Sequence, residues 1–199
     1  MATSSERRID RRVERSQALV LAALRRLLAS CGPNKITISA VSREAGVDRK
    51  TVYAHFGSIE GLFEKLAEEV VARILDEVER SCGHVTSLTD NLDASTRAFF
   101  SAINRAIRSD VELDRHIMAN VSEEALAEML RGILGRALRK RGLVPESVSD
   151  ELFDFYLQFC VTGTLSVYRL WLLSNRSVPI ERASEAARRL LVEGLSGLA

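Results

Sequence analysis

Apolar residues recur at three- and four-residue spacing along almost the whole chain, and no segment alternates apolar with polar residues at the period of a strand. This predicts an all-α protein. Over residues 6–30, Val13, Val20, Leu21, Leu24, Leu27 and Leu28 share one face, and Gly32-Pro33-Asn34 stops the helix. Two short helices are expected next. Thr37 can cap residues 38–45, with Ile38, Val41 and Ala45 on one face and Gly46 at the end. Asp48 can cap residues 49–56, with Val52 and Phe56 inward and Arg49, Lys50, Thr51, Tyr53, Ala54 and His55 outward. Gly57 closes that helix, and Ser58 opens a long one over 59–81. Further helices are predicted over 90–109, with Leu92, Thr96, Phe99, Ile103 and Ile107 on one face, and over 110–120 and 123–141. The spacing of Ser147 and Asp150 suits a capping box ahead of an apolar helix running to Ser174. An amphipathic helix over 179–194 brings the expected total to nine.

Residues 155–173 approach membrane-spanning length with one charge, Arg169. Gln158, Thr162, Thr164 and Ser166 lie within the segment and both flanks are ordinary amphipathic helix. A helix buried on nearly all sides is therefore expected, not a membrane span. Gly163, costly in mid-helix, is expected to mark a close helix crossing.

Charge adds an asymmetry that the net value of +1 hides. Residues 1–57 hold 11 Lys and Arg against 5 Asp and Glu, whereas residues 58–199 hold 17 against 22. A basic domain at 1–57 and an acidic helical domain at 58–199 are expected, the first meeting a polyanion. Arg7, Arg8, Arg11, Arg12 and Arg15 add to this charge. The three cysteines, Cys31, Cys82 and Cys160, are widely spaced and form no zinc or disulfide framework, so no metal or cofactor is expected. The first fifteen residues contain no apolar run, so no secretory signal is expected and a cytoplasmic location fits. The chain has no P-loop, GxGxxG, HExxH or GxSxG, and Glu123-Glu124 suits a helix start better than catalysis, so it is not expected to be an enzyme.

Two short helices joined by a glycine-containing turn form a helix-turn-helix, whose second helix must be slim and rich in donors to enter the major groove. Arg49, Lys50, Thr51 and Tyr53 supply donors, and Ala54 is small. The segment resembles the DNA-binding domain of the TetR (tetracycline-repressor) family. The resemblance is carried by Thr37, Ala45-Gly46-Val47, Tyr53, His55 and Phe56, and continues through Ser58 and Leu62, covering about residues 9–68. It implies that Thr37, Tyr53 and His55 contact phosphates and that Arg49, Lys50 and Thr51 lie near base edges. Ile59 stands where the family often has lysine, so that contact is not carried over. Ser42 replaces a usual alanine. Asp48 replaces a usual Ser or Thr and is expected to face the helix amides. The resemblance further implies a homodimer through the last two helices, a palindromic double-stranded DNA operator, and a small-molecule effector of unknown identity bound in the helical body. Phe99, Ile103, His116, Phe153, Tyr156 and Tyr168 are the effector-site candidates, although ordinary core packing is the stronger reading for each. A repressor released by its effector is the leading expectation. An activator or architectural DNA binder without an effector pocket, and a helical ligand-binding protein whose basic domain serves another anion such as a membrane surface, are the alternatives.

Overall fold

The structure, a computed structural model, describes residues 4–83 and 91–195, with side chains from residue 12 to residue 192 outside that gap. Nine α-helices and a single 3-10 turn make up these residues, with no strand among them. The chain divides into two compact units, Met1–Leu66 and Ala67–Ala199.

In the first unit, α1 (Ser4–Ser30) leads through a 3-10 turn (Pro33–Lys35) to α2 (Ile38–Ala45) and α3 (Arg49–Phe56), followed by the first turns of α4 (Ile59–Cys82). Val20, Leu24 and Leu28 of α1, Val41 of α2, Val52 of α3 and Leu62 of α4 are fully buried. Six such side chains form a small core that four helices share. Arg26 of α1 clamps α2 by donating to the Glu44 carboxylate at 2.7 Å and to the Glu44 carbonyl at 3.5 Å. The remainder of α4 belongs to the second unit. Arg7, Arg8 and Arg11 lie on α1, but their side chains are outside the described residues.

The second unit adds α5 (Leu92–Ser109), α6 (Val111–Asn120), α7 (Glu123–Lys140), α8 (Asp150–Leu173) and α9 (Ile180–Leu195). It has two apolar clusters. One joins Val71 and Leu75 of α4, Leu126, Ile133 and Leu138 of α7, and Phe153, Leu157, Val161 and Leu165 of α8. The other joins Phe100 and Ile107 of α5, Tyr168 and Leu172 of α8, and Ile180, Ala187 and Leu191 of α9. One face of α8 thus feeds both clusters in turn.

Four expectations need correction. First, α8 is buried along one face only: Phe155, Phe159 and Leu170 are 66%, 67% and 75% exposed, and Leu152 and Leu173 share that outer face. Second, a Cβ added at Gly163 would meet no other element of its own chain within 4 Å. The close crossing falls instead at Gly135 of α7, where an added Cβ would lie 2.9 Å from the Leu157 side chain. Third, the cap of α8 is Ser149, whose hydroxyl accepts from the Leu152 amide at 3.3 Å; Ser147 lies in the turn before it. The phase of α5 is also turned relative to the expected face: Phe100 and Asn104 point inward, and Phe99 and Ile103 are half-buried. Asn104 tolerates the interior because its amide donates to Ser184 at 2.9 Å and its carbonyl accepts from the Tyr168 hydroxyl at 2.7 Å. No helix among the described residues is long and apolar enough to cross a membrane.

Candidate nucleic-acid interface

Local chemistry explains why residues 37–58 fold as two helices and a turn. The Thr37 hydroxyl accepts from the Ala40 amide at 3.2 Å and starts α2. Gly46 ends it in the left-handed region, at φ 66°, where a side chain would be strained. The Val47 amide donates back to the Ser42 carbonyl at 3.1 Å, and the Ser42 hydroxyl donates to the Val47 carbonyl, so two bonds lock the turn. The Asp48 carboxylate accepts from the Lys50 amide at 2.7 Å and starts α3. Ser58 does the same for α4, accepting from the Gly61 amide at 3.1 Å.

This frame sets which residues of α3 face out. Val52 is the anchor, with no exposed surface. Arg49, Lys50, Tyr53 and Ala54 are exposed, Tyr53 by 54%. Thr51 and His55 are half-buried at the flanks, and the His55 ring meets Phe56 edge-on at 6.2 Å. Thr37 is exposed at the start of α2. The six residues singled out for DNA contact therefore lie on α3 and at the start of α2, two of them set deeper than the rest. Electrostatics on this face favours an anion. Asp48 is turned onto the Lys50 amide and Glu44 onto Arg26, whereas Arg43, Arg49 and Lys50 are all exposed.

Sequence reasoning missed Gly61, which lies in the first turn of α4. A Cβ there would stand 2.2 Å from the Phe56 carbonyl oxygen, so the end of α3 rests directly on the α4 backbone. A glycine placed where it costs helix propensity was the available signal. It noted Ser42 in place of alanine but missed what the hydroxyl does, which is to bond the Val47 carbonyl across the turn.

The six effector-site candidates do not converge. Phe99, Ile103 and Tyr168 meet in the cluster shared by α5, α8 and α9, and Phe153 lies in the other cluster under the Arg139 guanidinium, 4.6 Å from its ring centre. Tyr156 is half-buried on α8 and His116 half-buried on α6. Burial pushes the Tyr168 hydroxyl above its ordinary range, which keeps it a neutral donor to Asn104. A depression of about 240 Å³ between α5 and α9 is floored by Phe100, Asn104 and Ser184 and rimmed by Arg105, Arg108 and Arg188. Those arginines are bound to Glu77, Glu181 and the Asp93–Glu185 pair, which ties the helices together. Among the described residues no group of three or more His, Cys, Asp or Glu could hold a metal ion.

Asp114 on α6 is partly buried, and desolvation first, then the charge of Asp110 one turn earlier, pushes its carboxyl up to about 7. An unfolded aspartate titrates near 4, so between about pH 4 and pH 7 the folded chain holds the extra proton. Stability therefore falls as pH rises through that window and stays lower above it. Asp114→Asn removes the penalty. Thermal denaturation is expected to show a melting point raised by about 3 °C or more at pH 8 and little changed at pH 4. An equal effect at both pH values would contradict the assignment.

The fold and this face define a helix-turn-helix protein with a separate helical body. Residues 20–66 match the family model described as bacterial regulatory proteins, tetR family. Over 100 residues the chain is 37% identical to the HTH-type transcriptional regulator AlkX of Mycobacterium tuberculosis, a match covering 48% of this chain and 43% of that protein. The chain thus matches less than half the length of that relative. It is 28% identical over 153 residues to the HTH-type transcriptional repressor AcnR of Corynebacterium efficiens, covering 76% of this chain and 80% of that one. The fold matches the crystal structure of a TetR transcriptional regulator from Rhodococcus sp. RHA1, with a TM-score of 0.61 at 18% identity, covering 94% of this chain and 98% of that one. Residues 20–66 thus carry the helix-turn-helix module of the tetR family, and the chain is similar to regulators of that family in sequence and fold.

Proposed function

We propose that this protein is a cytoplasmic, homodimeric transcriptional repressor that binds a palindromic DNA operator and leaves it when a small-molecule effector binds the helical body. The observation that carries the DNA-binding part is α3: eight residues anchored by Val52, with Arg49, Lys50 and Tyr53 standing outward and both nearby acids turned away onto their own partners. Such a rod fits the major groove, with Arg49, Lys50 and Thr51 toward base edges and Thr37, Tyr53 and His55 toward phosphates. The outer face of α8 supports the dimer. Phe155, Phe159 and Leu170 on α8, with Leu190 on α9, are large apolar residues that water would cover at a cost, and Gly163 leaves room there for a second backbone. A second copy brings the same face, and a dyad then presents two α3 helices to a palindrome. Repression is supported by the name of the AcnR relative.

Selection from a random duplex pool, followed by fluorescence anisotropy on the selected site, tests the reading. Lys50→Ala is expected to weaken binding about fivefold or more, and the affinity of the parent chain is expected to fall steeply as salt is raised. Tyr53→Phe, which removes one hydroxyl donor, is expected to weaken binding by about two- to tenfold. Undiminished affinity in both variants, or affinity indifferent to salt, would remove the assigned contacts.

The division of the effector candidates between two packed clusters favours a second reading, a DNA-binding regulator that needs no effector. A thermal-shift screen of small molecules separates the two. A ligand that stabilises the protein and lowers operator affinity supports effector release; a library without such a ligand supports the second.

A further inference from the structure

Arg49 Nη1 donates to the Ser39 hydroxyl oxygen at 3.1 Å. Ser39 is the second residue of α2 and Arg49 the first of α3, so this bond spans the turn on its outer side. Both residues are exposed and neither reaches the core. The turn has no need of this bond, because Gly46, the two Ser42–Val47 bonds and the Asp48 cap already fix it. We infer that Ser39 is a positioning residue for sequence recognition: it holds the Arg49 guanidinium so that Arg49 reads one guanine in each half-site. This rests on the DNA-binding reading above.

The chemistry follows from the donor inventory. A guanidinium carries five N–H groups in a rigid fork, and the bond to Ser39 occupies one. The others can form the paired bonds to O6 and N7 on the major-groove edge of guanine. An unheld arginine can swing to a phosphate or to water when the base is wrong and recover part of the lost bonding, whereas a held one leaves donors unpaired against the wrong base. A held one meets the correct base already aligned, so discrimination sharpens. Lys50 alongside lacks the planar fork and acts as a point charge, which suits it to affinity more than to reading.

The test uses the full chain and the duplex it selects from a random pool, together with duplexes carrying each single base-pair replacement. Arg49→Ala is expected to lower discrimination by about tenfold or more at one G·C pair per half-site. Ser39→Ala is expected to lower it about threefold at that same pair. Ser39→Thr should restore it, and Ser39→Ala should add nothing when Arg49 is already alanine. Discrimination is a ratio within one preparation, so a partly unfolded variant does not distort it. Ser39→Ala leaving that pair unchanged, weakening all duplexes evenly, or acting equally without Arg49 would each overturn the inference while leaving DNA binding intact. Failure to select any duplex would instead remove the DNA-binding reading, and the inference with it.

Discussion

Phe159→Glu is expected to yield a folded monomer that binds operator at least 100-fold more weakly than the parent chain. Phe159 is 67% exposed within its own chain, so the substitution leaves both apolar clusters of the body untouched, and circular dichroism and melting should stay near those of the parent. In a dimer packed through α8, the new carboxylate would have to enter an apolar helix contact beside Phe155, at a cost that such a contact does not offset. Two linked binding modules gain about 10²–10⁴ in affinity over one, and a monomer forfeits that gain. Analytical ultracentrifugation gives the assembly state and anisotropy the affinity. A variant that sediments as a dimer would place the interface elsewhere.

Gly61→Ala is expected to cost the first unit about 2–4 kcal/mol and to abolish operator binding near the melting range. The added methyl would stand 2.2 Å from the Phe56 carbonyl oxygen, and that oxygen is backbone, with no rotamer in which to retreat. Either α3 lifts from α4 or α4 unwinds, and both move Tyr53 and Arg49 off their frame. Gly132→Ala is the matched comparison. Its methyl meets only the tip of Arg136 at 3.5 Å, so the same change in α7 should be neutral or stabilise by about 0.5–1 kcal/mol. Parallel thermal melts of the two variants decide the point; similar melting points would show that the α3 end yields freely.

What the sequence revealed was governed by distance along the chain. Thr37, Gly46, Asp48 and Ser58 act on amides within a few residues, so the two short helices and their turn could be read directly. Gly61 and Ser39 act through residues on the preceding or following helix, and their roles surfaced only once the helices were placed. The phase of α5 was misjudged because Asn104 is acceptable inside only with Tyr168 and Ser184, 64 and 80 residues further on. The capping box read at Ser147 stood two residues too early, and only the geometry gave the cap of α8 to Ser149. The apolar richness of α8 pointed to burial correctly for Leu157, Leu165 and Leu172, but periodicity alone does not say whether the opposite face is covered by the same chain.

Helix α8 lends one side to two interior packings and keeps the other, with Phe155, Phe159 and Leu170, turned outward. Because a helix is stiff, those duties are geared to each other. A twist that seats Leu157 or Tyr168 better must carry the outer phenylalanines around by the same angle. Evolution therefore cannot retune the inside of this body and its outward-facing ridge separately; substitutions on the two sides of α8 should drift together.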